Sequence, residues 1–201
     1  MADYVSYYSG DQIDEAVRRA IGFGLGDVQG KTINSLDEIT GYGFYRIPTE
    51  SGIAPDTSSN WGAIYIGSNI RYGTLIASRN NQGLVLQAVA AGVWGEFEWV
   101  NPPMQLGVEY RTTERYNGKP VYAKLVNFGA LPNASNKSVA HNLSNPLAMV
   151  DGKITDSNGS FVTNYNIKNF AISTANIIIE TEADMSGVSA SILLKYTKTT
   201  D

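Results

Sequence analysis

Glu96 with Glu98, and Glu180 with Glu182, stand two residues apart, the spacing at which side chains on one strand share a face. Two carboxyls flanking a glycosidic bond can hydrolyse it, one as acid and the other as base or nucleophile. A strand rise of about 3.3 Å per residue sets such a pair roughly 6.6 Å apart at the backbone. Nothing else around either pair suggests a cleft, and alternating charge usually marks the solvent face of a strand. The single histidine, His141 in "SVAHNLSN", has no G-x-S-x-G nucleophile motif to serve and cannot make a histidine-rich metal site alone. It reads as a ring packed at a strand end with a backbone hydrogen bond. Asp151, Asp156 and Asn158 in "DGKITDSNGS" lack the spacing and the closing Glu of an EF-hand loop. They read as two successive turns, with a weak calcium site as the alternative. "GFGLGDVQG" follows a helical pattern rather than a strand and has no Lys-Ser/Thr after it, so it reads as a linker and not a phosphate loop. There is no cysteine, which removes disulfides, thiolate catalysis and cysteine-zinc sites. The reading is of a non-enzymatic chain with no cofactor and no metal.

The elements that would position any site begin with "SGDQIDEAVRRAIGFG". Ser9 and Gln12 match a capping box. Acidic residues lead and arginines follow, as the helix dipole favours, with Asp14–Arg18 and Glu15–Arg19 as i,i+4 pairs. Ile13, Ala16, Val17, Ala20 and Ile21 form one apolar stripe, and glycines end the helix. A helix of about 12 residues is marginal alone. The stripe must therefore pack, either on its own domain or on sister copies.

Beyond it the pattern becomes short strands, at 43–47, 62–66, 72–78, 83–90 and 96–100, separated by Gly, Asn, Ser and Pro. "NPPM" breaks the chain. Asn117-Gly118 predicts a type I′ hairpin, and Pro120 predicts that its stretch of strand lies at an edge. Further strands are expected at 138–141, 147–150, 153–155, 161–165, 171–173, 176–182 and 188–197, with a turn at Asp151-Gly152. Turn signals every eight to twelve residues read as a sandwich. The expected organisation is residues 1–30 as helix and linker, 31–103 as a small β domain and 104–201 as an antiparallel β-sandwich. The fold class is mainly β.

Composition narrows the partners. Of 201 residues, 43% are apolar and 17% are charged, fewer charges than the usual quarter, with 12 Tyr in their place. That palette suits binding surfaces, where Tyr makes rigid amphipathic contacts. The net charge of −4 includes no basic patch for a phosphate backbone, so no nucleic-acid partner is expected. No apolar run is long enough for membrane insertion, and the first residues lack the form of a secretory signal.

Trp61, Tyr65, Tyr72, Trp94, Phe97 and Trp99 fall within the first β region. Exposed, such rings stack on sugar faces; otherwise Trp61 and Trp99 are core. "SLDEITGYGFYRIP", "NWGAIYIGS" and "GEFEWVNPP" together resemble the small knob module of pyocin and bacteriophage tail fibres. The matching residues are Ile39-Thr40, Gly43-Phe44-Tyr45, Trp61-Gly62 and Trp94 through Trp99, while Tyr42 replaces the usual proline. "GDQIDEAVRRAI" resembles the short helix that precedes such knobs, and "NGKPVYAKLVNFGALPNASNKSVAH" resembles a C-terminal β module of phage fibre and baseplate-associated proteins.

The resemblance implies a fibre or receptor-binding protein on a virion or phage-like particle, made in the bacterial cytoplasm. It implies a homotrimer, side by side or intertwined, joined to other virion proteins through its N-terminus. Ile13, Ala16, Val17, Ala20 and Ile21 would form the trimer seam. The partner would be a bacterial surface glycan or protein, contacted by Trp61, Tyr65 and Tyr72 with Asn69, Asn80 and Asn81. The alternatives are a structural head-fibre, decoration or baseplate protein without receptor binding, or a carbohydrate-binding module.

Overall fold

In the computed structural model the described residues are 9–22, 30–56, 58–79, 83–157, 162 and 166–201. Among them the protein is mainly β: fourteen strands, one α-helix and two short 3-10 turns. The chain divides into two compact units, Met1–Asn101 and Pro102–Asp201, within the Pro-rich break.

Helix α1 is Gly10–Gly22. Its start is the expected capping box: the Ser9 N–H donates to Gln12 Oε1 at 2.9 Å, and the Gln12 N–H donates to Ser9 Oγ at 3.3 Å. Glu15 takes both arginines, Arg19 at 3.0 Å and Arg18 at 4.0 Å, so the predicted Asp14–Arg18 pair gives way to an i,i+3 contact.

The first unit carries strands β1 (Lys31–Thr32), β2 (Gly43–Ile47), β3 (Trp61–Asn69), β4 (Tyr72–Arg79), β5 (Gly83–Ala90), β6 (Val93–Trp94) and β7 (Glu98–Trp99). Their order is β1-β2-β3-β4-β5-β7, with β6 also on β5. All pairings are antiparallel except β1 with β2. Alternation sends Tyr45, Ile47, Trp61, Ala63, Tyr65, Leu75, Ala77, Val85, Val89 and Trp99 to one buried face. Trp61 and Trp99 meet edge to face at 5.9 Å. The Arg79 guanidinium lies 5.4 Å from the Trp61 ring centre and binds Asp56 at 2.6 Å, tying the 48–60 loop to the sheet.

The second unit is the expected sandwich. One sheet is ordered β8 (Glu109–Tyr116), β9 (Lys119–Ala130), β14 (Ser189–Lys198) and β11 (Pro146–Asp156). The other is β10 (Asn136–Ala140), β13 (Asn176–Thr181) and β12 (Ile167–Ile172). Tyr122, Val126, Phe128, Ile154, Ile192, Leu194 and Tyr196 of the first sheet share one core with Ile177 and Ile179 of the second.

Asn117 and Gly118 adopt φ of 50° and 78°, the two positive values a type I′ turn needs. Pro120 sits in a central strand, but at its end. It pairs with Arg115 of β8, while the β14 ladder stops at Tyr122, so its missing N–H breaks no second ladder.

Asp151-Gly152 corrects the reading of that dipeptide as a turn. The segments expected at 147–150 and 153–155 are one strand, β11, with a register shift between Met149 and Asp151. A Cβ on Gly152 would stand 2.8 Å from Ile172 Cδ1 and 3.2 Å from the Phe170 ring, so glycine answers interior crowding rather than a reversal of direction. The strand expected at 161–165 lies outside the described residues apart from Val162.

Candidate association and ligand-contact surfaces

Of the groups read as chemical candidates, His141, Asp151 and Glu180 make structural bonds. His141 is 2% exposed and fully bonded. Its Nδ1 accepts from the Leu143 N–H at 3.1 Å, and its Nε2 lies 3.2 Å from the Ser173 carbonyl, which fixes the Nε2–H tautomer. The ring thereby staples the 141–143 corner to the turn before β13, as read from the sequence. Asp151 accepts from the Gly152 N–H at 2.8 Å and faces Lys153 at 3.4 Å. Asp156 lies five residues along the same strand, roughly 16 Å away by strand rise, so the two cannot share one ion. Asn158 lies outside the described residues. Of the carboxylate pairs, Glu98 is in β7 but Glu96 precedes it, and Glu180 is in β13 but Glu182 follows its end. Glu180 is taken by Lys168 at 2.7 Å. Neither pair is a same-strand pair.

A titratable cluster that the sequence does not announce lies in the second unit. Glu109 accepts from the Tyr196 hydroxyl and from Lys198. The Lys198 ammonium sits 4.1 Å from the Tyr122 ring centre. Burial, reinforced by the Glu109 carboxylate, pushes the Tyr196 phenol far above its ordinary range. The phenol donates to Glu109 and so ties β8 to β14 across the intervening β9.

The proposed ligand contacts separate into core and surface. Trp61 and Tyr65 are both 0% exposed, which corrects their assignment as exposed contacts. The reason is parity: both share the face of Ala63, the covered face of the sheet. Tyr65 also anchors the β3–β4 hairpin. Its hydroxyl donates to the Asn69 carbonyl at 2.6 Å, its ring stacks on Tyr42 at 6.4 Å and it meets Trp94 edge to face at 5.9 Å. Burial first, and Tyr42 second, raise its phenol above the ordinary value. Gly73 leaves room for this ring and for the neighbouring strand, because a Cβ there would stand 2.5 Å from both the Ile66 carbonyl and the Tyr65 hydroxyl.

Asn69 and Tyr72 do lie at the surface, at the tip of that hairpin. Tyr72 is 50% exposed. The Asn69 Oδ1 accepts from the Arg71 N–H at 2.9 Å, and Arg71 reaches the Ala91 carbonyl at 3.2 Å, which stiffens the tip. Asn80 and Asn81 lie outside the described residues.

On α1, Ile13 and Val17 are 45% and 50% exposed, Ala16 is exposed and Ala20 is partly buried. The Ile21 side chain lies outside what is described. The stripe thus stands open to solvent at Ile13, Ala16 and Val17.

A second bare apolar surface escaped the sequence reading. On the face of the first sheet opposite the core, Phe44, Ile64, Ile76 and Leu86 stand directly across from one another on β2, β3, β4 and β5. Ile66 and Tyr72 extend this row toward the hairpin tip. Phe44, Ile64, Ile66, Ile70 and Tyr72 all count among the exposed large hydrophobics. The available signal was that Ile64 and Ile66 alternate with Ala63 and Tyr65, so both faces of β3 are apolar.

No protein-family model matches the chain, and no curated protein matches it. Two solved structures are similar over most of its length. One is an N-truncated R2-type pyocin tail fibre, 8% identical, with 85% of this chain and 95% of that one covered and a TM-score of 0.30. The other is a C-terminal part of the P. aeruginosa R2 pyocin fibre, also 8% identical, with 82% and 64% covered and a TM-score of 0.30. The solved structures this chain is similar to are therefore pyocin tail fibres, at a TM-score too low to carry fold detail or function across.

Proposed function

We propose that the chain is a non-enzymatic fibre or receptor-binding protein of a phage or phage-like particle, acting as a homotrimer that adheres to the bacterial host surface. The observation that carries this reading is the capped, amphipathic α1, whose apolar stripe is exposed at Ala16 and about half exposed at Ile13 and Val17. A short helix of this kind gains its stability from packing partners, and sister copies supply them. The sequence resemblance to knob modules, through Gly43-Phe44-Tyr45, Trp61-Gly62 and Trp94 to Trp99, points the same way.

In this reading three weak sites act together, and linkage raises avidity by roughly 10²–10⁴ over a single site. The ligand is a surface glycan or surface protein. Of the described residues, Asn69 and Tyr72 at the β3–β4 tip are the contacts that remain after Trp61 and Tyr65 are assigned to the core. Tyr72 offers an exposed ring for stacking, and Asn69 adds an exposed side-chain amide.

The test is light scattering followed by cell binding. The purified chain should have a mass near three times 21.8 kDa. A labelled chain should bind host cells, and Asn69→Ala with Tyr72→Ala should lower that binding at least tenfold without changing the unfolding temperature. A chain that assembles on particles but binds no cell would instead be a structural virion protein.

A further inference from the structure

We propose that the hollow bounded by Arg46, Asn60 and Gly62, on the exposed face of the first sheet, binds a sugar ring that carries an acidic group, carboxylate or phosphate. The proposal deepens the adhesion reading by naming a ligand class, and rests on it for the biological role of that ligand. The site is separate from the hairpin tip: Gly62 and Asn69 stand about 23 Å apart along β3 by strand rise.

Gly62 is the first argument. It alternates with the buried Trp61 and Ala63, so it faces outward, from a strand flanked by β2 and β4. A glycine inside a strand weakens it, and often marks a bulge, a bend or the close approach of another group. There is no bulge at Gly62, which pairs in register with Arg46 and with Ser78. Its φ is not positive, and a Cβ would meet nothing nearer than the Ser78 carbonyl at 3.9 Å. Nothing in the described chain requires a glycine there. The hollow above it does: a floor without a side chain leaves about 310 Å³ open, at the small end of ligand pockets and enough for one sugar ring.

The groups around that floor are the second argument. Arg46, directly across from Gly62, is half-buried, and among the described residues its guanidinium makes no ion pair. Glu50 is close enough to feel that charge. Its carboxyl, however, is held below the ordinary value first by its own backbone N–H and then by the Thr49 hydroxyl, which donates at 2.9 Å, with Arg46 contributing least. A guanidinium presents a planar fork of donors that fits a carboxylate or phosphate through two parallel bonds. Asn60 Oδ1 accepts from the Thr49 N–H at 3.2 Å, which pins the amide at the rim. Ser78, exposed on the far side of Gly62, adds a hydroxyl. Phe44, two residues from Arg46 on the same face and 44% exposed, adds a ring for the apolar face of the sugar. Cation, amide, hydroxyl and ring thus surround the glycine floor, and the cation selects an acidic sugar over a neutral one.

The test is saturation-transfer NMR on the full chain at low salt, with glucuronate, glucose 1-phosphate and glucose as probes. At least one acidic sugar should give a signal about tenfold above that of glucose, and which of the two does so separates carboxylate from phosphate. Arg46→Gln should remove that signal. Gly62→Val should remove it too, with the unfolding midpoint at or above the wild-type value, because valine suits a strand. Equal signals from all three sugars, no signal from either acidic sugar, or a signal that survives Arg46→Gln overturns the proposal. A Gly62→Val chain that folds and still binds also overturns it; if that variant does not fold, Arg46→Gln decides alone. Cell binding by a chain that gives no acidic-sugar signal overturns this site and leaves the adhesion reading standing. An acidic-sugar signal that Arg46→Gln removes, on a chain that binds no cell, supports the site and overturns the adhesion reading.

Discussion

Tyr65→Phe removes one oxygen and separates two accounts of this residue. If Tyr65 is a core anchor, the change deletes the bond from its hydroxyl to the Asn69 carbonyl, 2.6 Å long, and nothing else. The ring stays 0% exposed and keeps its contacts with Tyr42 and Trp94. A neutral hydrogen bond of this kind contributes about 0.5–1.5 kcal/mol net. Asn69 is exposed, so its carbonyl can take a water in place of the phenol, which favours the lower half of that range. In a unit of this size each kcal/mol moves the midpoint by about 4–8 °C. The expected fall is therefore about 2–8 °C, read by thermal unfolding of the full chain followed by tryptophan fluorescence, since Trp94 touches the ring. Host-cell binding measured well below the midpoint should not change. The argument would be refuted by an unaltered midpoint, or by lost cell binding with stability intact, because either would mean that the hydroxyl serves something other than the hairpin.

The remaining predictions concern the two other pins of the structure. His141→Phe keeps the ring volume but takes away the ring's bonds to the Leu143 N–H and the Ser173 carbonyl; Leu143 is half-buried and Ser173 exposed, so water can replace the ring and the change should cost about 0.5–1.5 kcal/mol per bond, seen as earlier urea unfolding of the second unit. Asp56 gives a pH signature. Burial alone would raise its carboxyl, but the Ser58 hydroxyl and amide and the Arg79 guanidinium outweigh that and hold it below its ordinary value of 3.8. A depressed folded value means that the unfolded chain takes up the proton first. The stabilisation is thus fully present above about pH 5 and fades as pH falls through the folded value. Comparing wild type with Asp56→Asn between pH 6 and pH 2 should show a stability gap that closes on the acid side; a gap that is constant with pH would contradict the assignment.

Much of the architecture was legible because its signals are local. The Ser9–Gln12 capping box, the two positive φ values at Asn117-Gly118 and the alternation through 43–47 and 83–90 each depend on a few neighbouring residues. The lone His141 was legible for the opposite reason: with no chemical partner in the sequence, a structural bond was the simplest use for it. Asp151-Gly152 misled because a glycine in a turn and a glycine under a packed ring look alike in sequence. Phe170 and Ile172, which decide the matter, come eighteen and twenty residues later. The Glu109–Tyr196–Lys198 cluster was invisible for the same reason, since its members meet only when β8 and β14 are brought to either side of β9.

By itself, the sequence determined which side chains travel together: Trp61, Ala63 and Tyr65 on one side of a strand, and Ile64 with Ile66 on the other. The alternation of a strand has period two and carries that information completely. It says nothing about which side the rest of the chain will cover. When both sides are apolar, as on β3, only tertiary packing chooses. Here the packing took the aromatic side for the core, withdrew Trp61 and Tyr65 from any ligand and left the isoleucines facing outward.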